Sequence, residues 1–60
     1  MRIDYWYKDV RRSVYATVTF YPNDSVYRCN VYDVDGNMIG DFIIADSVEI
    51  ERRFPGIFGE

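Results

Sequence analysis

The sequence has no histidine and a single cysteine, and each shortage closes off a set of functions. Without an imidazole there is no Ser-His or Cys-His nucleophile pair and no usual catalytic zinc site. With Cys29 alone, no disulfide can form within the chain. That thiol reads as a small buried apolar group on a strand, and a reducing, cytoplasmic setting is expected. No glycine-rich phosphate loop is present. No charged-then-apolar leader opens the chain, and no apolar run approaches the ~18 residues a membrane span requires, so a soluble protein with no membrane partner is expected. Positive charge is also scarce: seven Lys and Arg stand against ten Asp and Glu, a net charge of −3. No global field draws in nucleic acid, and any such role falls to local patches.

Sixty residues make one domain, 1–60. A chain this short buries only about 60% of the surface its unfolded form exposes. Domains of this size lean on a disulfide, a metal or a partner subunit, and with the first two nearly excluded, self-association is the expected aid. Aromatic side chains are abundant, with six Tyr, four Phe and Trp6. Tyr and Trp join a large apolar body to a polar tip, which suits interfaces as well as cores.

The stretch from Val14 to Asp33 organises the rest. Val14 to Tyr21 alternates strictly, with Val14, Ala16, Val18 and Phe20 on one face and Tyr15, Thr17, Thr19 and Tyr21 on the other, the signature of a half-buried strand. Tyr21-Pro22-Asn23-Asp24 is a turn: Pro22 removes a ladder donor, and Asn23 and Asp24 carry side chains that bond back to the backbone. Ser25 to Asp33 returns as a strand, placing Tyr27, Cys29 and Val31 toward the core and Val26, Arg28, Asn30 and Tyr32 away from it. Before this hairpin, Arg2 to Lys8 reads as a strand with Ile3, Tyr5 and Tyr7 on one face and Asp4, Trp6 and Lys8 on the other, and Asp9 to Ser13 as a charged loop. After it, Asp35-Gly36 forms a tight hairpin, since Gly36 tolerates positive φ. Met38 to Ile44 follows as a strand, with Met38, Gly40, Phe42 and Ile44 on one face and Ile39, Asp41 and Ile43 on the other. Gly40 inside it signals a bulge or a close backbone approach.

Asp46 and Glu49 have the spacing of a capping box, so a helix of about two turns starts there, supported by the Glu49–Arg53 and Ile50–Phe54 pairs and stopped by Pro55. Ile57 and Phe58 form a short apolar tail able to dock on the sheet or on a neighbour. The predicted fold is α+β: a four-stranded antiparallel meander followed by one short C-terminal helix, ββββα, in an oligomer.

Four sets of residues are candidates for function. Asp33, Asp35 and Asp41 could hold a hard cation such as magnesium, which takes carboxylates and keeps waters. Asp33 to Asn37 opens like a calcium loop, but Ile44 stands where the bidentate Glu belongs, and a plain turn explains the stretch equally. Lys8, Arg11 and Arg12, with Arg28, could contact phosphates, and beside Tyr5, Trp6, Tyr15 and Tyr21 they make the mixture of cations and stacking surfaces that binds single strands; a solvated loop accounts for the same charges. Arg52 and Arg53 suit a helix C-terminus on macrodipole grounds alone. Tyr15, Thr17, Thr19, Tyr21 and Tyr32 form a sheet face that is either an oligomer interface or a ligand platform.

D-Y-W-Y at Asp4 to Tyr7, Y-R-C-N at Tyr27 to Asn30, D-G-N-M-I-G-D at Asp35 to Asp41 and D-S-V-E-I-E-R-R-F-P-G-I-F at Asp46 to Phe58 together resemble very short prophage and mobile-element proteins. In particular, the chain is similar to a small anti-CRISPR group with a positive-cofactor-four-like fold that assembles as dimers or tetramers. The resemblance implies binding or nicking of supercoiled DNA, which would impair a Cas nuclease that gains from negative supercoiling when it opens its target. The negative net charge and the short helix depart from that pattern, and no catalytic motif matches position by position, so no catalytic residue is carried over. A structural subunit that oligomerises and binds neither DNA nor nuclease accounts for the same residues, and beside it two functions follow as expectations. One is a counter-defence protein acting on DNA topology, with a metal-dependent nickase as its enzymatic form. The other is a non-catalytic, acidic, Tyr-rich module that binds and blocks a protein.

Overall fold

A computed structural model describes residues 1–59. Four strands, β1 (Ile3–Asp9), β2 (Val14–Tyr21), β3 (Val26–Tyr32) and β4 (Met38–Ile44), form one antiparallel sheet in the order β1-β2-β3-β4, and the helix α1 (Ser47–Arg53) follows. The ββββα architecture read from the periodicity is therefore the one observed. β2 and β4 have the expected bounds, while β1 starts and ends one residue later and β3 is shorter by a residue at each end.

The trimming of β3 has local causes. Ser25 lies at φ 54, left-handed backbone that belongs to a turn, and Ser13 at φ 55 does the same at the end of the β1–β2 loop. The Pro22–Ser25 turn is closed by the backbone, Asp24 N–H donating to Tyr21 O at 3.2 Å, rather than by the Asn23 or Asp24 side chain. At the other end of β3, Asp33 leaves the ladder to organise the next loop. Its carboxylate accepts from the backbone N–H of Asp35 and of Asn37, both at 2.9 Å, while Gly36 takes φ 85 as its turn demands.

One register feature overturns an expectation. β3 and β4 pair Val31 with Gly40 but Tyr32 with Met38, so Ile39 is an extra residue in a bulge. A bulge inverts the alternation beyond it. Met38 therefore lies on the face of Tyr32 and Asn30, not on the Phe42 face where strict alternation puts it, and the Asn30 amide nitrogen stands 4.0 Å from its sulfur. Gly40 follows the bulge directly, and a Cβ there would stand 3.4 Å from Val31 Cβ, in close contact with it.

The core lies on one face only. The paired rows Tyr5-Val18-Cys29-Phe42 and Tyr7-Ala16-Val31-Gly40 face α1 and the tail, which bury Ile50, Phe54 and Ile57 against them. Aromatic contacts close the layer: Tyr5 meets Phe58 edge-on at 5.0 Å, Tyr7 meets Phe54 at 5.4 Å, and Phe20 meets Tyr27 at 4.6 Å between ring centroids. Such pairs add about 0.5–1.5 kcal/mol each beyond simple burial. The tail docks on its own sheet, since Gly56 at φ 82 lets the chain reverse after Pro55. Tyr5 is thus a core side chain and not a stacking surface for a ligand.

The helix starts where expected but with half of the expected cap. Asp46 accepts from Val48 N–H at 2.9 Å, whereas Glu49 turns forward to Arg53 at 3.1 Å instead of reaching back. The i,i+4 ion pair has taken the side chain that the reciprocal cap would use. Cys29 is fully buried beside Val18, and loss of hydration pushes its thiol up to about 11, so it stays protonated and inert at neutral pH. No helix of the described residues is long and apolar enough to cross a membrane.

Candidate functional site: the open face of the sheet

Because α1 and the tail cover one face, the opposite face carries every second residue of the strands into solvent. Its rows are Lys8-Tyr15-Tyr32-Met38, Trp6-Thr17-Asn30-Asp41 and Asp4-Thr19-Arg28-Ile43, with Tyr21 and Val26 completing the far end. The five residues expected at an interface, Tyr15, Thr17, Thr19, Tyr21 and Tyr32, do share this face, and all are half-buried. Tyr15 and Tyr32 stack across β2 and β3 with centroids 5.7 Å apart.

Polar side chains in the middle satisfy one another. Arg28 clamps Asp41 with two hydrogen bonds, Nε to Oδ1 at 3.3 Å and Nη2 to Oδ2 at 3.1 Å, and the Asn30 amide donates to the same Oδ1 at 3.0 Å. The hydrogen bonds to the Asp41 carboxylate hold the Arg28 guanidinium above its ordinary value. On the other side, the Thr19 hydroxyl donates to Asp4 at 3.0 Å, and Arg2 stands 3.8 Å from that carboxylate.

The apolar groups sit at the two edges. Trp6 on β1 is 72% exposed, and Met38, Ile39 and Ile43 on β4 are 53%, 59% and 66% exposed. Sequence reasoning put Trp6 among possible stacking groups but left the β4 set out of the interface. The signal for Ile39 and Ile43 was their alternation against Phe42 and Ile44; for Met38 it was Gly40, whose bulge turns it outward.

The other candidate residues are less well placed for their expected roles. Arg28 is bound to Asp41, and Arg12 leans on Asp9 at 3.8 Å. Lys8 and Arg11 are exposed and make no ion pair among the described residues. Asp33, Asp35 and Asp41 do not assemble. Asp33 caps its loop, where hydrogen bonds led by that from Asn37 N–H hold its carboxyl below the usual range, and Asp41 is engaged by Arg28 and Asn30. Among the described residues no group of three or more His, Cys, Asp or Glu could hold a metal ion, so these three carboxylates do not fit magnesium. The face is also not acidic: Asp4 and Asp41 are balanced by Lys8 and Arg28, and the excess carboxylates lie in the loops and helix.

Compared with known proteins, the chain matches no family model, no curated protein and no solved structure.

Proposed function

We propose that this chain is a non-catalytic protein-binding module of the counter-defence kind that its resemblance suggests, and that the open face of the sheet is the binding surface. The observation that carries this is the arrangement of that face, with exposed Trp6, Ile39 and Ile43 flanking a charge-balanced, internally hydrogen-bonded centre. Protein interfaces favour aromatic and apolar anchors with little net charge at the core. Backbone-tracking nucleic-acid surfaces need several free cations, and here Arg28 is spent on Asp41 and, among the described residues, Lys8 alone is left unpaired at the end of one row. A second copy of the chain and a Cas nuclease are the two partners this reading names, and assembly of copies through the same face would shield its apolar edges.

The test combines three assays on purified protein. Supercoiled plasmid with magnesium stays supercoiled. A Cas nuclease loses cleavage at stoichiometric amounts of the protein, and the Trp6→Ser, Ile43→Ser double variant restores it. Light scattering reports whether copies associate and whether the same variant separates them. Relaxed plasmid would reject the non-catalytic reading in favour of nicking, and uninhibited nuclease would reject the counter-defence one. Monomeric wild type would reject self-assembly alone.

A further inference from the structure

One member of the first cationic cluster, Arg12, meets the second, far away in sequence. Arg12 from the β1–β2 loop and Arg52 and Arg53 from the last turn of α1 line one cavity of about 300 Å³ on the helix-bearing face. The cavity exists because this end of the core is built from small side chains. Ala16 and Val31, paired across β2 and β3, underlie it, and of the helical segment's apolar side chains only Phe54, just past the end of α1, reaches it. Rings of Tyr7, Phe42 and Phe54 wall it, those of Phe42 and Phe54 lying nearly parallel at an interplanar angle of 9°.

Macrodipole arguments explain two arginines at the end of α1, but not a third arriving from another element. The cations are also only partly spent. Arg53 pairs with Glu49 at 3.1 Å and lies 5.0 Å from the centroid of Phe42, Arg12 is held by Asp9 at a loose 3.8 Å, and Arg52 makes no ion pair among the described residues. The Asp9 carboxylate also lines the cavity, so three arginines face one acid there; in a chain of net charge −3 this is still a local reversal of sign over an apolar slot. The volume stands at the small end of ligand cavities, and an apolar lining with a few convergent polar groups is their usual make-up. The arginine plane also stacks on rings, and its fork of N–H groups donates bidentately to two oxygens of a carboxylate or phosphate.

We infer that this cavity binds a small aromatic anion, a flat ring with one phosphate or carboxylate attached directly or through a short linker, with the ring against Tyr7 and Phe54 and the charge at Arg12 and Arg52. The site lies on the opposite side of the sheet from the proposed protein-binding surface and stands independently of that function. A nucleotide base with its phosphate and an aromatic residue with a terminal carboxylate both have this form.

Amide chemical shifts of the full chain, titrated with phenyl phosphate, test the assignment. Ala16, Val31 and Phe54 shift at millimolar ligand, while benzyl alcohol and inorganic phosphate, which each carry half of the recognised chemistry, bind more weakly. Arg52→Gln and Arg12→Gln each weaken phenyl phosphate by about tenfold, the loss expected from one charge-assisted hydrogen bond. Both substitutions are at the surface, and the unshifted spectrum reports that the fold is kept. Whichever of thymidine 5′-monophosphate and N-acetylphenylalanine acts at the lower concentration identifies the source of the ring. Absence of shifts at millimolar phenyl phosphate, or equal titrations of the wild type and the Arg12→Gln, Arg52→Gln double variant, would overturn the proposal.

Discussion

Alternate residues of the same four strands meet opposite fates on the two faces of this sheet. On the covered face the centre is driest, with Val18 and Cys29 at 0% exposure beneath Ile50. On the open face the central strands carry Thr17, Thr19, Arg28 and Asn30 between half-buried Tyr15, Tyr32, Tyr21 and Val26, while the exposed apolar groups stand on the edge strands, Trp6 on β1 and Ile39 and Ile43 on β4. The covered face buries area, and non-directional hydrophobic contact is strongest where water is fully excluded. The open face joins its middle by hydrogen bonds that tolerate solvent and leaves its adhesive groups at the margins. One layer of helix and tail is enough to make a core but cannot cover both faces, so stability and recognition are divided between them.

The largest test of this division removes the single most enclosed side chain. Ile50→Ala should cost about 2–5 kcal/mol, the range for buried large-to-small changes. For a domain this small that approaches its whole stability, and urea unfolding followed by circular dichroism should find the variant largely unfolded. If the midpoint barely moves, the helix is an ornament and not the lid of the core.

A second test uses pH. Burial raises the Cys29 thiol to about 11 in the folded state, while in the unfolded chain a thiol ionises near 8.5. The folded form therefore keeps its proton longer, and the stability tied to the neutral thiol is full below about pH 8.5 and lost as pH rises toward 11. Raised by its burial, the Tyr27 hydroxyl acts in the same direction. Relative to Cys29→Ala, wild type should lose about 2–3 kcal/mol over that window. Parallel stability curves for the two proteins between pH 8 and 11 would show that Cys29 is not sealed from water.

The smallest effect on stability belongs to the open face. Trp6→Ser with Ile43→Ser should change the unfolding free energy by only about 0.5 kcal/mol, as for exposed substitutions generally, while dispersing any oligomer seen by sedimentation. A large loss of monomer stability from this pair would erase the distinction between the faces.

Much of the fold was legible before any coordinates. The alternation of Val14 to Tyr21 set the faces of β2, and through it those of its neighbours. Asp46 with Pro55 bracketed the helix. The site was legible only in part. Tyr15, Thr17, Thr19, Tyr21 and Tyr32 fell together because a period of two sends them the same way. Asp33, Asp35 and Asp41 looked like a cluster because they are close along the chain, but a loop cap and a cross-strand ion pair claim Asp33 and Asp41 separately. The proximity of Arg12 to Arg52 and Arg53 had no local sign at all.

The residues by themselves determined the strand and helix boundaries to within a residue or so, the inward-facing set and the inertness of a lone thiol, because these depend on periodicity, capping and turn chemistry that act over a few positions. Only the tertiary structure decided that Met38 faces outward, that Tyr5 belongs to the core, that Arg28 is paired with Asp41 and that Arg12 shares a cavity with the distant Arg52 and Arg53. Those outcomes depend on a one-residue bulge and on which end of the sheet the helix leaves uncovered, and both are set by how the strands and the C-terminal segment pack, not by any short stretch of chain.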